Sequence, residues 1–245
     1  MKEWLYGRNA VYEALKAGRR RFYRLWLAQG VEEKGRLIEI LNDCQRKNIP
    51  VERVSRQRLD SISDGNQGVG LESSGYPYSS LVDILEMAGN RGEPPLVLLL
   101  DTLQDPQNLG TLLRTAENIG VHGVLLPLRH TATVTPAVVN ASSGASEHLL
   151  VGQTNLAQAI GALKVENVWV IGLESRPEAL LPGQLNLSGP VAIVVGGEGA
   201  GIRPLVRSSC DFLLRLPMLG KIESMNAAVA GSIALYLARQ ARGFD

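Results

Sequence analysis

The run PLVLLLD at residues 95–101 constrains this chain more than any other stretch. A strand with one wet face alternates polar and apolar residues. A strand with no polar position until its last residue buries both faces, the mark of an interior strand in a parallel sheet. The grammar then repeats. NLGTLLRTAENIG has helical spacing and leads to the strand GVLLP; PAVVNASSGASEH is helix-like. LLVGQ, NVWVIGLE, PVAIVVGGE and FLLRLP read as further strands separated by helical pieces. Such alternation predicts an α/β domain with a mostly parallel sheet and sites beyond the strand C-termini. Periodicity alone describes an open doubly wound sheet, because knotted connections are rare.

Ahead of this domain the pattern is different. NAVYEALKAG carries helical apolar spacing, with Asn9 placed to cap it and Gly18 to stop it. FYRLWLAQG alternates as a strand, VEEKGRLIEILNDCQRKN is an amphipathic helix, IPVERVS a strand and RQRLDSIS a short helix. Together they form a small α/β unit that ends near GNQGVGLES, and the turn-rich SSGYPYSS marks the boundary. The expected division is a domain over residues 1–72, a linker and leading helix over 73–94, and a second domain over 95–245.

The chain carries a net charge of only +1 over 245 residues, so it does not as a whole advertise a polyanionic partner. The distribution is uneven, with 14 Lys/Arg against 8 Asp/Glu in residues 1–60 and 11 against 14 in residues 76–245. A basic N-terminal module suits contact with nucleic acid, although charge alone does not separate that from solvated helix faces. Within RRRFYR, Phe22 and Tyr23 interleave the basic residues, which tips the expectation towards RNA. Cys44 and Cys210 lack zinc or disulfide-framework spacing, and His122, His130 and His148 lack ligand spacing, so no metal is expected. The N-terminus has no apolar signal core, and the longest apolar run is too short to span a bilayer. A cytoplasmic setting with no membrane is expected.

Three loops of the second domain carry the chemistry. In DTLQDPQNLGTLLRTAENIG, spacing makes Asn108 a helix N-cap, while Arg114 follows one to two turns in, where a guanidinium is either a surface charge paired with Glu117 or a group that holds a phosphate or polarises a hydroxyl. VAIVVGGEGAGI places a glycine turn after a buried strand. Its Glu198 disfavours a pyrophosphate cradle and suits hydroxyls, amines or a positive centre. No GxxxxGK[ST] run is present. In LPMLGKIESMNAAVAGSIALYLARQ, Ser224 is placed to cap the helix, whereas Asn226, a mediocre helix former, has no obvious structural task.

These residues resemble the SpoU/TrmH ribose 2'-O-methyltransferases of the SPOUT class. The first motif is Asp105-Pro106, Asn108, Gly110 and Arg114. The second is Gly196-Gly197-Glu198-Gly199 with Gly201, and the third is Pro217, Met218, Gly220, Ser224 and Asn226. VVNASSGASEH resembles the segment between the first two motifs, and YGRNAVYEAL with NQGVGL resembles the L30e-like substrate-binding domain of the RlmB branch. Met225, Ala227, Ala228 and Asn66 depart from the commoner residues at their positions.

The resemblance implies an α/β fold with a deep trefoil knot, a small L30e-like N-terminal domain, a homodimer, and S-adenosylmethionine as cofactor. It implies catalytic roles for Arg114, Asn108, Glu198, Ser224 and Asn226. Gly196, Gly197, Leu216, Met218, Gly220 and Met225 fall at the cofactor site, and Arg8, Arg19, Arg20, Arg21 and Arg24 are the RNA-binding candidates. The implied substrate is a guanosine ribose of 23S ribosomal RNA, with a transfer RNA or an antibiotic-resistance ribosomal site as the near alternative. A Rossmann-type oxidoreductase predicts an acidic residue about 20 positions after its glycine loop; residues 212–218 offer none. A non-catalytic RNA-binding module predicts no reason to retain Asn108, Arg114 and Asn226 together.

Overall fold

The computed structural model describes residues 2–199, 201–222 and 224–244. They fall into two compact units. One comprises the chain to Pro77 with Val134–His148, and the other comprises Tyr78–Thr133 with the chain from Leu149.

In the first unit the order is β1 (Lys2–Tyr6), α1 (Arg8–Ala17), β2 (Phe22–Ala28), α2 (Arg36–Arg46), β3 (Val51–Val54), α3 (Arg56–Asp60) and β4 (Val69–Ser74). The sheet order is β1-β4-β2-β3, with β4 antiparallel to both neighbours and β2 parallel to β3. Helix α1 is stopped by Gly18 in the left-handed conformation, as its sequence predicts, but its N-cap is Gly7 rather than Asn9. Strands β1 and β4 escape the sequence reading because MKEWLYGRN and GNQGVGLES offer only short, glycine-interrupted patterns. Asn66 is buried and organises the turn before β4. Its amide donates to Asp60 and to the Ser63 carbonyl at 2.7 Å each, and its oxygen accepts from the Gly68 N–H at 2.8 Å.

The second unit runs α4 (Leu81–Arg91), β5 (Leu96–Asp101), α5 (Pro106–Ile119) and β6 (Gly123–Pro127). The chain then contributes α6 (Pro136–Ala141) and a short 3-10 turn to the first unit. It returns as β7 (Val151–Thr154), α7 (Leu156–Val165), β8 (Trp169–Leu173), β9 (Val191–Gly196), α8 (Pro204–Ser209), β10 (Phe212–Leu214) and α9 (Ala227–Arg242). The six strands lie in the order β10-β8-β9-β5-β6-β7 with every neighbouring pair parallel. All residues of β5 and β9 are buried, which is what their unbroken apolar runs predict. From β5 the chain proceeds to β6 on one side, and from β9 it proceeds to β10 on the other. The C-terminal edge between β5 and β9 is therefore the switch point, where an open parallel sheet places its crevice.

The segment 134–148 joins the first unit through specific bonds. Asn140 donates to the Tyr6 carbonyl at 3.1 Å, and the Tyr76 hydroxyl donates to the Ser146 carbonyl at 2.9 Å. Glu147 accepts two bonds of 2.7 Å from Arg20, and both side chains are buried. Arg20 also pairs with Glu3 and donates to the Ser74 carbonyl at 3.1 Å.

The small residues of α9 have a packing cause. Ala228, Gly231, Ala234, Leu235 and Ala238 form its buried stripe. A Cβ at Gly231 would lie 2.7 Å from Leu112 of α5 and 3.0 Å from Val195 of β9, so glycine lets α9 settle against both without displacing either side chain. The Thr115 and Ser232 hydroxyls meet at 2.9 Å across the same seam.

Candidate active site

The three loops converge on the switch point. Asp105 caps α5, accepting from the Gln107 N–H at 3.0 Å, and Pro106 occupies the first helical position, where its missing N–H costs nothing. This corrects the expectation that Asn108 is the cap. Asn108 sits within the first turn, and its side chain is free of capping duty. On α9 the correction runs the other way. The cap is Asn226, not Ser224, and its Oδ1 accepts from the N–H groups of Ala228 and Val229 at 2.9 and 3.1 Å.

The two asparagines then form a directed chain. Glu198, as a carboxylate, only accepts, so Asn108 must present Nδ2 to it. That leaves Asn108 Oδ1 to accept from Nδ2 of Asn226 at 3.2 Å, and Asn226 Oδ1 to take the helix N–H groups. The dipoles therefore align from the positive N-terminus of α9 through two amides to the Glu198 carboxylate, an arrangement in which each bond polarises the next. Glu198 and Asn226 are exposed and Asn108 is half-buried, so the chain borders solvent or a ligand.

Beside this chain lies a cavity of about 660 Å³. Its lining draws on the ends of β8 and β9, the segment after β10 and the start of α9, and it includes Gly196, Gly197, Glu198, Leu216, Met218, Ser224, Met225 and Asn226. Gly220 and Asn108 do not line it, although Asn108 bonds two residues that do. The glycines are sterically required. A Cβ at Gly196 would lie 2.2 Å from the Gly201 carbonyl carbon, and one at Gly197 would lie 2.5 Å from the Thr102 oxygen. Without side chains there, the loop closes on itself through the Gly201 N–H to Gly197 oxygen bond of 3.1 Å and exposes bare backbone to the cavity.

Two carboxylates that the sequence reading did not select hold this edge. Asp101, fully buried at the end of β5, accepts from the Arg203 backbone and Nε at 2.8 Å each, with Nη2 at 2.6 Å. Glu174, just past β8, lines the cavity, accepts from the Ile202 N–H at 3.0 Å and pairs with Arg176 at 2.7 Å. Their signal was positional: each is the acid at or just beyond the end of a buried strand.

Arg114 stands exposed on α5 and is absent from the cavity lining. Of the basic N-terminal residues, Arg20 is removed from any RNA-facing role by complete burial between Glu147 and Glu3. Arg19 donates to the Tyr76 hydroxyl and to the Pro77 carbonyl at 3.1 Å each, Arg8 bonds Gln67, and Arg24 pairs with Glu72 at 2.9 Å. Arg21 is exposed and lies over the Tyr23 ring, which Lys2 also approaches. Arg20 and Arg24 are thus engaged by acids outside residues 1–60, Glu147 and Glu72. Among the described residues, no cluster of His, Cys, Asp and Glu is placed to hold a metal ion, and no helix is long and apolar enough to cross a membrane.

Known proteins resemble this chain over both units. Residues 95–236 match the SpoU rRNA Methylase family, and residues 4–79 match a domain described as RNA 2'-O ribose methyltransferase substrate binding. A Bacillus subtilis (strain 168) chain named as a TrmH family tRNA/rRNA methyltransferase, YacO, is 38% identical over 96% of this chain and 94% of its own. A Staphylococcus aureus (strain Mu50) chain named for the same family is 38% identical over 94% of this chain and 92% of its own. Among solved structures, the SpoU methyltransferase AviRb from Streptomyces viridochromogenes, in complex with AdoMet, aligns with a TM-score of 0.81 at 21% identity, covering 98% of this chain and 90% of that one. An AdoMet-bound rRNA methyltransferase from Sinorhizobium meliloti aligns at 0.80 and 24%, covering 98% and 87%. At these identities the structures establish the fold. With the family match and the relatives, they make the conclusion plain: this chain belongs to the SpoU/TrmH family of RNA methyltransferases.

Proposed function

We propose that the protein transfers a methyl group from S-adenosylmethionine to a ribose 2'-hydroxyl of structured RNA, and that the substrate is a guanosine of 23S ribosomal RNA. The observation that carries this reading is the convergence of Asn108, Glu198 and Asn226 on the rim of the glycine-floored cavity. The cavity's volume suits a small cofactor. Its bare backbone floor at Gly196 and Gly197 admits a flat ring, Leu216, Met218 and Met225 supply apolar wall, and the carboxylates of Glu174 and Glu198 suit a cationic sulfonium or ammonium. Gly220 then shapes the loop without touching the cavity.

S-adenosylmethionine supplies an already activated methyl group, so the work left to the chain is alignment and activation of the hydroxyl. Arg114 holds the phosphate next to the target ribose. It does not serve as a base, because a guanidinium stays protonated, and the phosphate oxygen it orients takes a share of the hydroxyl proton. Asn226, fixed by the α9 N-terminus, sets Asn108, and Asn108 sets Glu198. Ser224, relieved of capping, is available to hydrogen-bond the ribose.

The catalytic unit is further read as the trefoil-knotted domain of this class, acting as a homodimer. Supporting the dimer, α9 presents Val229, Ile233 and Tyr236 to solvent at helical spacing, with Tyr236 53% exposed, a stripe that a second copy would cover. Arg114 then acts on cofactor held by the partner, in keeping with its place outside the cavity. In the first unit Arg21, Arg8, Arg19 and Arg24 remain the proposed RNA contacts, and the setting is cytoplasmic.

The test is transfer of labelled methyl from S-adenosylmethionine to unmodified large-subunit and transfer RNA transcripts. Arg114→Ala is expected to abolish turnover while leaving cofactor affinity within about threefold of the parent, since an exposed charge off the cavity contributes little to binding. Near-normal turnover of this variant would refute the role given to Arg114.

A further inference from the structure

A second cavity, of about 490 Å³, opens on the same C-terminal edge of the six-stranded sheet. Its walls come from the loop after β6 (Leu128, Arg129, His130), from the start of α7, and from Arg203 and Leu205 where α8 begins. No aspartate or glutamate lines it. Arg203 is neutralised by Asp101, but no ion pair engages Arg129 among the described residues, which leaves a positive charge at the mouth. Leu128 and Leu205, 65% and 67% exposed, line it from the loop after β6 and from the start of α8, so a cation and two apolar side chains border one hollow.

The hollow is held open rather than left to chance. Thr131 Oγ1 and the Ala132 N–H both donate to the Leu103 carbonyl, at 2.9 and 2.7 Å, tying the Arg129 loop to the loop that follows β5. The wall at Arg203 is fixed by the Asp101–Arg203 clamp. Strand order gives the separation. The first cavity lies over β8 and β9, the second over β6 and β7, and β9 and β6 are two strand spacings apart, about 10 Å. Gly196–Gly199 line the first cavity, and Arg203, Leu205 and Val206, a few residues on, line the second.

We propose that this second cavity seats a nucleotide of the RNA strand neighbouring the methylated one, with Arg129 on its phosphate and its base between Leu128 and Leu205. The chemistry matches the parts. Phosphate needs an unpaired cation, an unstacked base needs apolar faces, and the absence of lining carboxylates removes repulsion of the backbone. The proposal rests on the methyltransferase reading above and extends it to how the strand is held.

The experiment uses the full chain and whichever RNA transcript the unaltered protein methylates, large-subunit or transfer. Arg129→Ala should weaken RNA binding about five- to tenfold near 0.1 M salt and lower the slope of log K against log salt by about 0.7–0.9, the loss of one phosphate contact. Arg129→Lys should restore the slope, and Leu205→Ala should raise the RNA KM without changing the slope. S-adenosylmethionine affinity should match the parent in all three, which also shows that the variants are folded. An Arg129→Ala protein with parental RNA affinity and parental salt slope overturns the proposal. Failure of the unaltered protein to methylate any RNA strikes instead at the reading on which it rests.

Discussion

Replacing Asn226 separates structure from chemistry at the site. Asn226→Ala removes the cap from α9, costing about 1 kcal/mol, and loses the exposed bond to Asn108, worth about 0.5 kcal/mol. For a chain of this size a loss of ~1.5 kcal/mol lowers the thermal midpoint by about 3–6 °C. Asn226→Asp keeps the capping oxygen, and its charge favours the helix N-terminus by about 0.3–1 kcal/mol, so the midpoint should hold or rise slightly. It cannot, however, donate to Asn108 as Asn226 Nδ2 does, and it adds a negative charge close to Glu198. Turnover should therefore fall at least tenfold in both variants, which corresponds to about 1.4 kcal/mol of lost transition-state alignment. Thermal unfolding and methyl-transfer rates measured side by side decide the matter. An Asn226→Asp protein with parental turnover, or an Asn226→Ala protein with an unchanged midpoint, refutes the reasoning.

Two further outcomes follow from buried groups. Glu147→Gln leaves the buried Arg20 short of its bidentate partner, with Glu3 as its remaining carboxylate. It should destabilise the first unit by about 3 kcal/mol, read as a drop of ~12–24 °C in its unfolding midpoint. His122 has a fully buried side chain and accepts from the Leu96 N–H at 3.0 Å through Nδ1, so protonation would set a second donor against that N–H. Burial holds its pKa below the ordinary value. Below an unfolded pKa of about 6.5 the unfolded chain takes up a proton that the folded chain refuses, so stability is full above that pH and declines as pH falls through it. Denaturant unfolding at a series of pH values should show the decline, and His122→Gln should flatten that part of the profile.

The sequence carried the second unit well because its strands are buried on both faces, and an unbroken apolar run has one reading. PLVLLLD and PVAIVVGGE became β5 and β9 with all residues buried. It carried the loops' convergence too, since strand C-termini of one sheet must share an edge. Local side-chain tasks were less legible. Asp105 and Asn108 both suit a helix start, as do Ser224 and Asn226, and propensity ranks each pair nearly equal. Pro106, by demanding the first helical position, decides for Asp105 on α5. On α9 the decision depends on where the preceding loop ends, which is a tertiary matter. The thin composition of α9 became intelligible only with Leu112 and Val195 in place against Gly231. Net charge misled most. The arginines of RRRFYR look solvent-facing in sequence, yet Arg20 is committed to Glu147, a residue more than a hundred positions away whose pairing no local pattern reveals.

Nucleoside analysis of the reaction product tests the central claim most directly. RNA treated with the protein and S-adenosylmethionine, digested and resolved by mass spectrometry, should yield 2'-O-methylguanosine at one position of the large-subunit transcript, with label retained on the ribose. Methyl found on a base, or no methyl transferred to any RNA, would contradict the account.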